Sequence, residues 1–115
     1  MSTPAVSDKN SPYFQALVNG LNHYVDYTNM ARYSLDFESS TTILFLFSTT
    51  DCWVRIVLSS SSDVASVGSD SSKGDSFFVP GGISYFVGIP FVKSTYKLSV
   101  IRNASDGRLH ITEGA

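Results

Sequence analysis

The sequence predicts an all-β domain, a two-sheet β-sandwich or small jelly roll of about eight strands with a short N-terminal arm. Three observations predict it. From Leu21 onward apolar and polar residues recur with a period of two, the period of a strand with one face buried. Clusters of Ser, Thr, Asp, Asn and Gly break the chain into short runs at the spacing of a sandwich. The run Ile43–Phe47 is apolar on both faces, which favours two packed sheets over one open sheet.

Residues 1–12 are polar and contain proline, and read as an arm; residues 13–115 read as a single sandwich domain. Two readings stand for the start of the domain. Ser11-Pro12 caps and opens a helical turn at 12–19, with Phe14, Leu17, Val18 and Leu21 on one face and Asn19-Gly20 ending it. Alternatively, a strand places Phe14, Ala16 and Val18 on one face. Tyr24–Thr28 is the next strand. In Tyr33–Phe37 the alternation puts Tyr33, Leu35 and Phe37 on one face and Ser34 and Asp36 on the other. Glu38-Ser39-Ser40 is a turn. Thr42–Ser48 reads as a central strand covered on both sides. Thr49-Thr50-Asp51 then turns the chain into Cys52–Leu58, so the two runs read as a hairpin. Cys52, Val54, Ile56 and Leu58 are expected inward, and Trp53, Arg55 and Val57 on the other face.

Ser59–Ser76 is polar and Gly/Ser-rich, flexible by composition, with Val64 and Val67 as anchors. A loop of this length in a compact domain is uncommon and often functional. Phe77–Val79 leads into the turn Pro80-Gly81-Gly82. Ile83–Ile89 follows, with Tyr85, Val87 and Ile89 opposed to Ser84, Phe86 and Gly88, and Pro90 ends it or marks an edge. Tyr96–Arg102 and Leu109–Thr112 are the last strands. Asn103–Gly107 between them reads as a hairpin turn in which Gly107 supplies a positive φ.

Composition narrows the function. The chain has 115 residues, enough for one domain and a small core. Charged residues are 16%, and 20 serines supply much of the polar surface instead. The net charge is −2 with the charges scattered singly, so no basic cluster exists to neutralise phosphates or anionic lipid; neither nucleic acid nor membrane is an expected partner. The start Met1-Ser2-Thr3-Pro4 lacks signal-peptide features, and a lone Cys52 forms no intrachain disulfide; synthesis in a reducing cytosol is expected.

Motifs for chemistry are sparse. His23 and His110 sit in no metal-ligand or catalytic spacing. A thiol–imidazole pair of Cys52 and His110 lacks any surrounding motif, and Cys52 reads better as a small buried apolar residue, with His110 exposed on the last strand. The acids fall mostly in turns and tails. Asp70 and Asp75 flank Lys73-Gly74 without the dense oxygen ligands of a calcium loop. No catalytic residue, metal or cofactor is expected, and the chain is not expected to be an enzyme. Trp53, beside Arg55, together with Tyr13, Tyr24 and Tyr27, is a candidate contact surface for protein or sugar; covering by the second sheet or the N-terminal segment is the competing reading.

The half from Cys52 to Ala115 resembles short open reading frames among the structural genes of tailed bacteriophages. The resemblance rests on the strand Trp53–Leu58, the Ser/Ala/Val loop 59–76, Phe77-Phe78-Val79-Pro80-Gly81-Gly82, the aromatic strand after it, and the closing stretch Ser105–Gly114. Products of that kind are similar to capsid decoration, or cement, proteins. The resemblance implies a virion structural protein on the capsid surface. It would reinforce the lattice by contacts with the major capsid protein or other virion proteins, as a homo-oligomer, with trimers on local three-fold positions compatible with symmetry. The expected interface residues are Pro4, Val6, Tyr13, Phe14 and Trp53, with loop 59–76 facing outward or toward a neighbour. The alternative is a carbohydrate-binding β-sandwich of a fibre or host-surface protein, stacking sugar rings on Trp53 and exposed tyrosines.

Overall fold

A computed structural model of the chain describes residues 21–89 and 94–114. They form eight strands: β1 (Asn22–Tyr27), β2 (Arg32–Tyr33), β3 (Ile43–Ser48), β4 (Cys52–Leu58), β5 (Phe77–Val79), β6 (Ser84–Gly88), β7 (Tyr96–Arg102) and β8 (Gly107–Gly114). All strand pairs are antiparallel, in two four-stranded sheets ordered β1-β8-β3-β6 and β2-β7-β4-β5. The pairings β1–β8, β2–β7, β3–β6 and β4–β5 are those of one long ribbon folded back on itself and then rolled, so that successive pairs fall in alternate sheets. That connectivity is a jelly roll. The predicted all-β sandwich of about eight strands is therefore the observed fold.

The core follows from the alternation. Val25 and Tyr27 of β1, Leu44 and Leu46 of β3, and Leu109 and Ile111 of β8 face Cys52 and Val54 of β4, Val79 of β5, and Leu98 and Val100 of β7. Each is nearly or fully removed from water, and each large aliphatic side chain so buried contributes roughly 1.5–3 kcal/mol. β3 is central in its sheet, as predicted, but among the described residues it is not covered on both sides as its apolar run implied. Its inner residues are fully buried, while on its outer side Ile43 and Phe45 are half-buried and Phe47 is 37% exposed.

Two expected hairpins are corners instead. β3 and β4 lie in different sheets, and so do β7 and β8. The segment Thr49-Thr50-Asp51 carries the chain from one sheet to the other because the buried Tyr27 hydroxyl holds it there. That hydroxyl lies 2.6 Å from Ser48 Oγ and 2.7 Å from Thr50 Oγ1, and accepts the Thr50 N–H at 3.2 Å. Gly107 meets the same cluster: a Cβ there would sit 2.5 Å from both the Tyr27 hydroxyl and Thr50 Oγ1. Close approach, not a positive φ, requires glycine at that position. The left-handed conformation belongs to Gly82, at φ 78°, in the Pro80-Gly81-Gly82 turn.

The predicted strand 33–37 is shorter than its alternation implies. Only Arg32 and Tyr33 pair regularly with β7. Ser34 turns inward, where its Oγ accepts the Leu98 N–H at 3.0 Å and donates to the Leu35 carbonyl at 2.8 Å. Leu35 is consequently 71% exposed, while Phe37 reaches the core. A side-chain hydroxyl here replaces a backbone acceptor and shifts the facing by one residue.

Candidate functional site

The two outer faces of the sandwich differ. On the β1-β8-β3-β6 sheet, register aligns Tyr24, His110, Phe47 and Ser84 in one row across four strands. Asn22, Thr112, Phe45 and Phe86 form the next row. Tyr24 is 55% exposed, and Ile83, one residue before β6, is 57% exposed. Phe45 and Phe86 pack ring against ring with centroids 5.0 Å apart, and Tyr24 approaches His110 at 6.2 Å. At the β1 end, Arg108 lies 3.9 Å over the Tyr24 ring. Its Nε donates to Asp26 Oδ1 at 2.6 Å and its second amino group to Oδ2 at 3.2 Å. This bidentate pair holds the Asp26 carboxyl below the usual carboxylate range, first through the hydrogen bond and then through the charge of Arg108. The face is an aromatic surface bordered by one internally neutralised ion pair.

The β2-β7-β4-β5 sheet carries its own cover. Loop 59–76 contains no strand yet lies across the outer face. The Ala65 N–H donates to Ser99 Oγ at 2.9 Å, and both residues are buried. Arg55 reaches Asp63 at 3.3 Å and Asp75 at 3.1 Å, and the Tyr33 hydroxyl donates to the Asp63 carbonyl at 2.8 Å. Val57, on the outward side of β4, is buried beneath this cover. The expectation that the loop is flexible by composition misses these cross-links, which join it to three strands.

Trp53 lies at the far end of the loop. Its indole N–H donates to Asn103 Oδ1 at 3.0 Å, and its ring stands edge-on to Phe78 at 5.1 Å. The loop backbone closes on it at Gly68, where a Cβ would come within 2.5 Å of the indole. Among the described residues the element that packs on the Trp53 ring is thus loop 59–76, not the second sheet. Beside the indole the loop borders an open hollow of about 730 Å³, lined by Trp53, Ser66, Asp70, Ser72, Lys73 and Ser76 among others.

Of the expected interface residues, Trp53 is therefore built into a loop-lined hollow, whereas Pro4, Val6, Tyr13 and Phe14 lie outside the described residues, as does the reading of a helical turn at 12–19. Tyr24 is exposed as expected, but Tyr27 is buried, because its hydroxyl is the hub of the 48–51 corner. Cys52 is buried, its thiol pushed up by burial and 3.5 Å from Ser48 Oγ. His110 faces solvent on the other sheet, so the two form no catalytic pair. Among the described residues no group of three or more His, Cys, Asp or Glu side chains converges on a metal position, and no helix is long and apolar enough to cross a membrane.

One polar cluster escaped the sequence reading. Glu113, 3% exposed, accepts hydrogen bonds from His23 Nε2 at 2.9 Å, the Glu38 N–H at 2.8 Å and the Thr41 hydroxyl at 2.7 Å. It ties the 38–41 turn to β1 and β8, and its satisfied oxygens explain how a carboxylate stands inside the fold. Nothing in the spacing of residues 23, 38, 41 and 113 marks them as neighbours. Comparison with known proteins finds no matching family model, no matching curated protein and no matching solved structure.

Proposed function

We propose that the chain is a structural protein of a phage virion, of the capsid decoration or cement kind, that attaches to the assembled shell through the outer face of its β1-β8-β3-β6 sheet. The observation that carries this reading is the contrast between the two faces. Among the described residues, loop 59–76 lies over the centre of one sheet and leaves Tyr33 and Phe78 38% exposed at its edge strands, while the other displays Tyr24, Phe47 and Phe86 together across its strands. Exposed rings on a flat, charge-poor sheet face are the residues that supply contact area at low entropic cost in a protein–protein interface. A jelly roll alone hosts many functions, so the fold supports a rigid module without naming its partner.

In this mechanism the occupant of the face is the major capsid protein in its assembled form. Binding the assembled shell in preference to free subunits stabilises the shell by mass action, and no chemical step is involved. The arm residues Pro4 and Val6, with Tyr13 and Phe14, would add a second tether, and self-association around a local three-fold axis would multiply the contacts.

The test is co-sedimentation with expanded shells of the phage that encodes the protein. The wild-type chain is expected to pellet with shells. Phe47→Asp, which places a charge in the centre of the aromatic face, is expected to weaken attachment at least about tenfold, equivalent to ~1.4 kcal/mol. Removal of residues 2–12 is expected to weaken it while leaving the fold intact. Failure of the wild-type chain to bind such shells would overturn the reading.

A further inference from the structure

The hollow beside Trp53 lies on the opposite side of the sandwich from the face proposed for attachment. We propose that it is a binding site for a neutral saccharide. It is an open hollow of about 730 Å³ that combines an aromatic ring with several serines. Trp53 provides an aromatic element, and serines together with Asp70 and Lys73 line the rest. A sugar ring has the matching chemistry, with an apolar C–H face and a rim of hydroxyls that both donate and accept. Serine hydroxyls do the same, so each is able to satisfy a sugar hydroxyl in either sense.

Three features favour this ligand class over others. The indole is held in place by Asn103 and Phe78 before any ligand arrives, so little side-chain freedom is lost on binding. Asp70 and Lys73 cancel in charge, which argues against a phosphate or another anion. Asp75, the second acid of this loop, is engaged by Arg55 at 3.1 Å, which leaves Asp70 without a partner carboxylate for a cation. The loop is fastened to the sheet on either side of the lining stretch, at Ala65 by Ser99 and at Asp75 by Arg55.

Trp53 is the single tryptophan of the chain, so its fluorescence, excited at the red edge where the tyrosines hardly absorb, reports on this site. The experiment titrates the full-length protein with glucose, galactose, mannose and N-acetylglucosamine, and with the hexasaccharide of each, while following Trp53 emission. The expected result is a saturable change for at least one of these probes. Dissociation constants on the order of 1 mM or tighter are expected for a shallow site of this kind. A tighter hexasaccharide than monosaccharide identifies a polysaccharide chain as the source, and equal affinities identify a free sugar. The double variant Asp70→Ala, Ser72→Val alters exposed loop positions without touching the core, and is expected to weaken binding at least about tenfold. Phe47→Asp is expected to leave it unchanged, which separates this proposal from the attachment reading. The proposal is overturned if no probe alters Trp53 emission, or if the double variant binds as the wild type does.

Discussion

The Tyr27 hydroxyl sets the geometry of the most constrained corner of the molecule. It gathers Ser48 and Thr50 within 2.6–2.7 Å and leaves no room for a side chain at Gly107. Tyr27→Phe keeps the ring in the core but leaves the Thr50 N–H without its acceptor. The expected cost is about 1–3 kcal/mol, read as a lower denaturation midpoint with an unchanged m-value. Asp26 and Arg108 give a pH effect of defined sign. A carboxylate whose folded pKa lies below its unfolded one adds stability above the unfolded pKa, and that contribution disappears as pH falls through the folded value. Asp26 is such a group. Its titration by NMR is therefore expected to fall below the ordinary carboxylate range in the wild type and to return upward in Arg108→Gln. Equal titration in both proteins would show that the pair is not formed in solution.

At the scale of elements, the alternation of Ser84–Gly88 and of Cys52–Arg55 was legible because each has one face toward the core, whereas Leu58, expected inward, is 45% exposed and Val57, expected outward, is buried. Strand existence therefore followed from local pattern. Sheet membership did not. Thr49-Thr50-Asp51 is short enough for a hairpin, and its role as a corner depends on Tyr27, far away in the chain. The reversal of Ser34 and Leu35 likewise depends on an amide of β7. The candidate surfaces were legible in part: Trp53 and Tyr24 stood out as aromatics at outward positions, but the cover that loop 59–76 builds depends on Ser99 and Arg55, which no local pattern pairs with it. Ser99→Ala removes the buried acceptor of the Ala65 N–H. It is expected to loosen that loop locally, with cleavage after Lys73 by trypsin accelerated several-fold while the global denaturation midpoint falls by less than Tyr27→Phe lowers it. An unchanged cleavage rate would mean that the loop is held by its ion pairs alone.

At the scale of the whole molecule, the jelly roll acts as a plate with two unlike sides. One sheet shows aromatic rings in register, and the other is covered over its centre by a loop that also borders the hollow at Trp53. In the proposed function the first side attaches and the second is turned away from the shell. Hydrogen–deuterium exchange of the protein, free and bound to expanded shells, tests that arrangement most directly. Protection on binding is expected in β3, β6 and β8, with loop 59–76 exchanging as it does in the free protein. Protection confined to loop 59–76, or exchange that the shells leave unaltered throughout, would contradict the account.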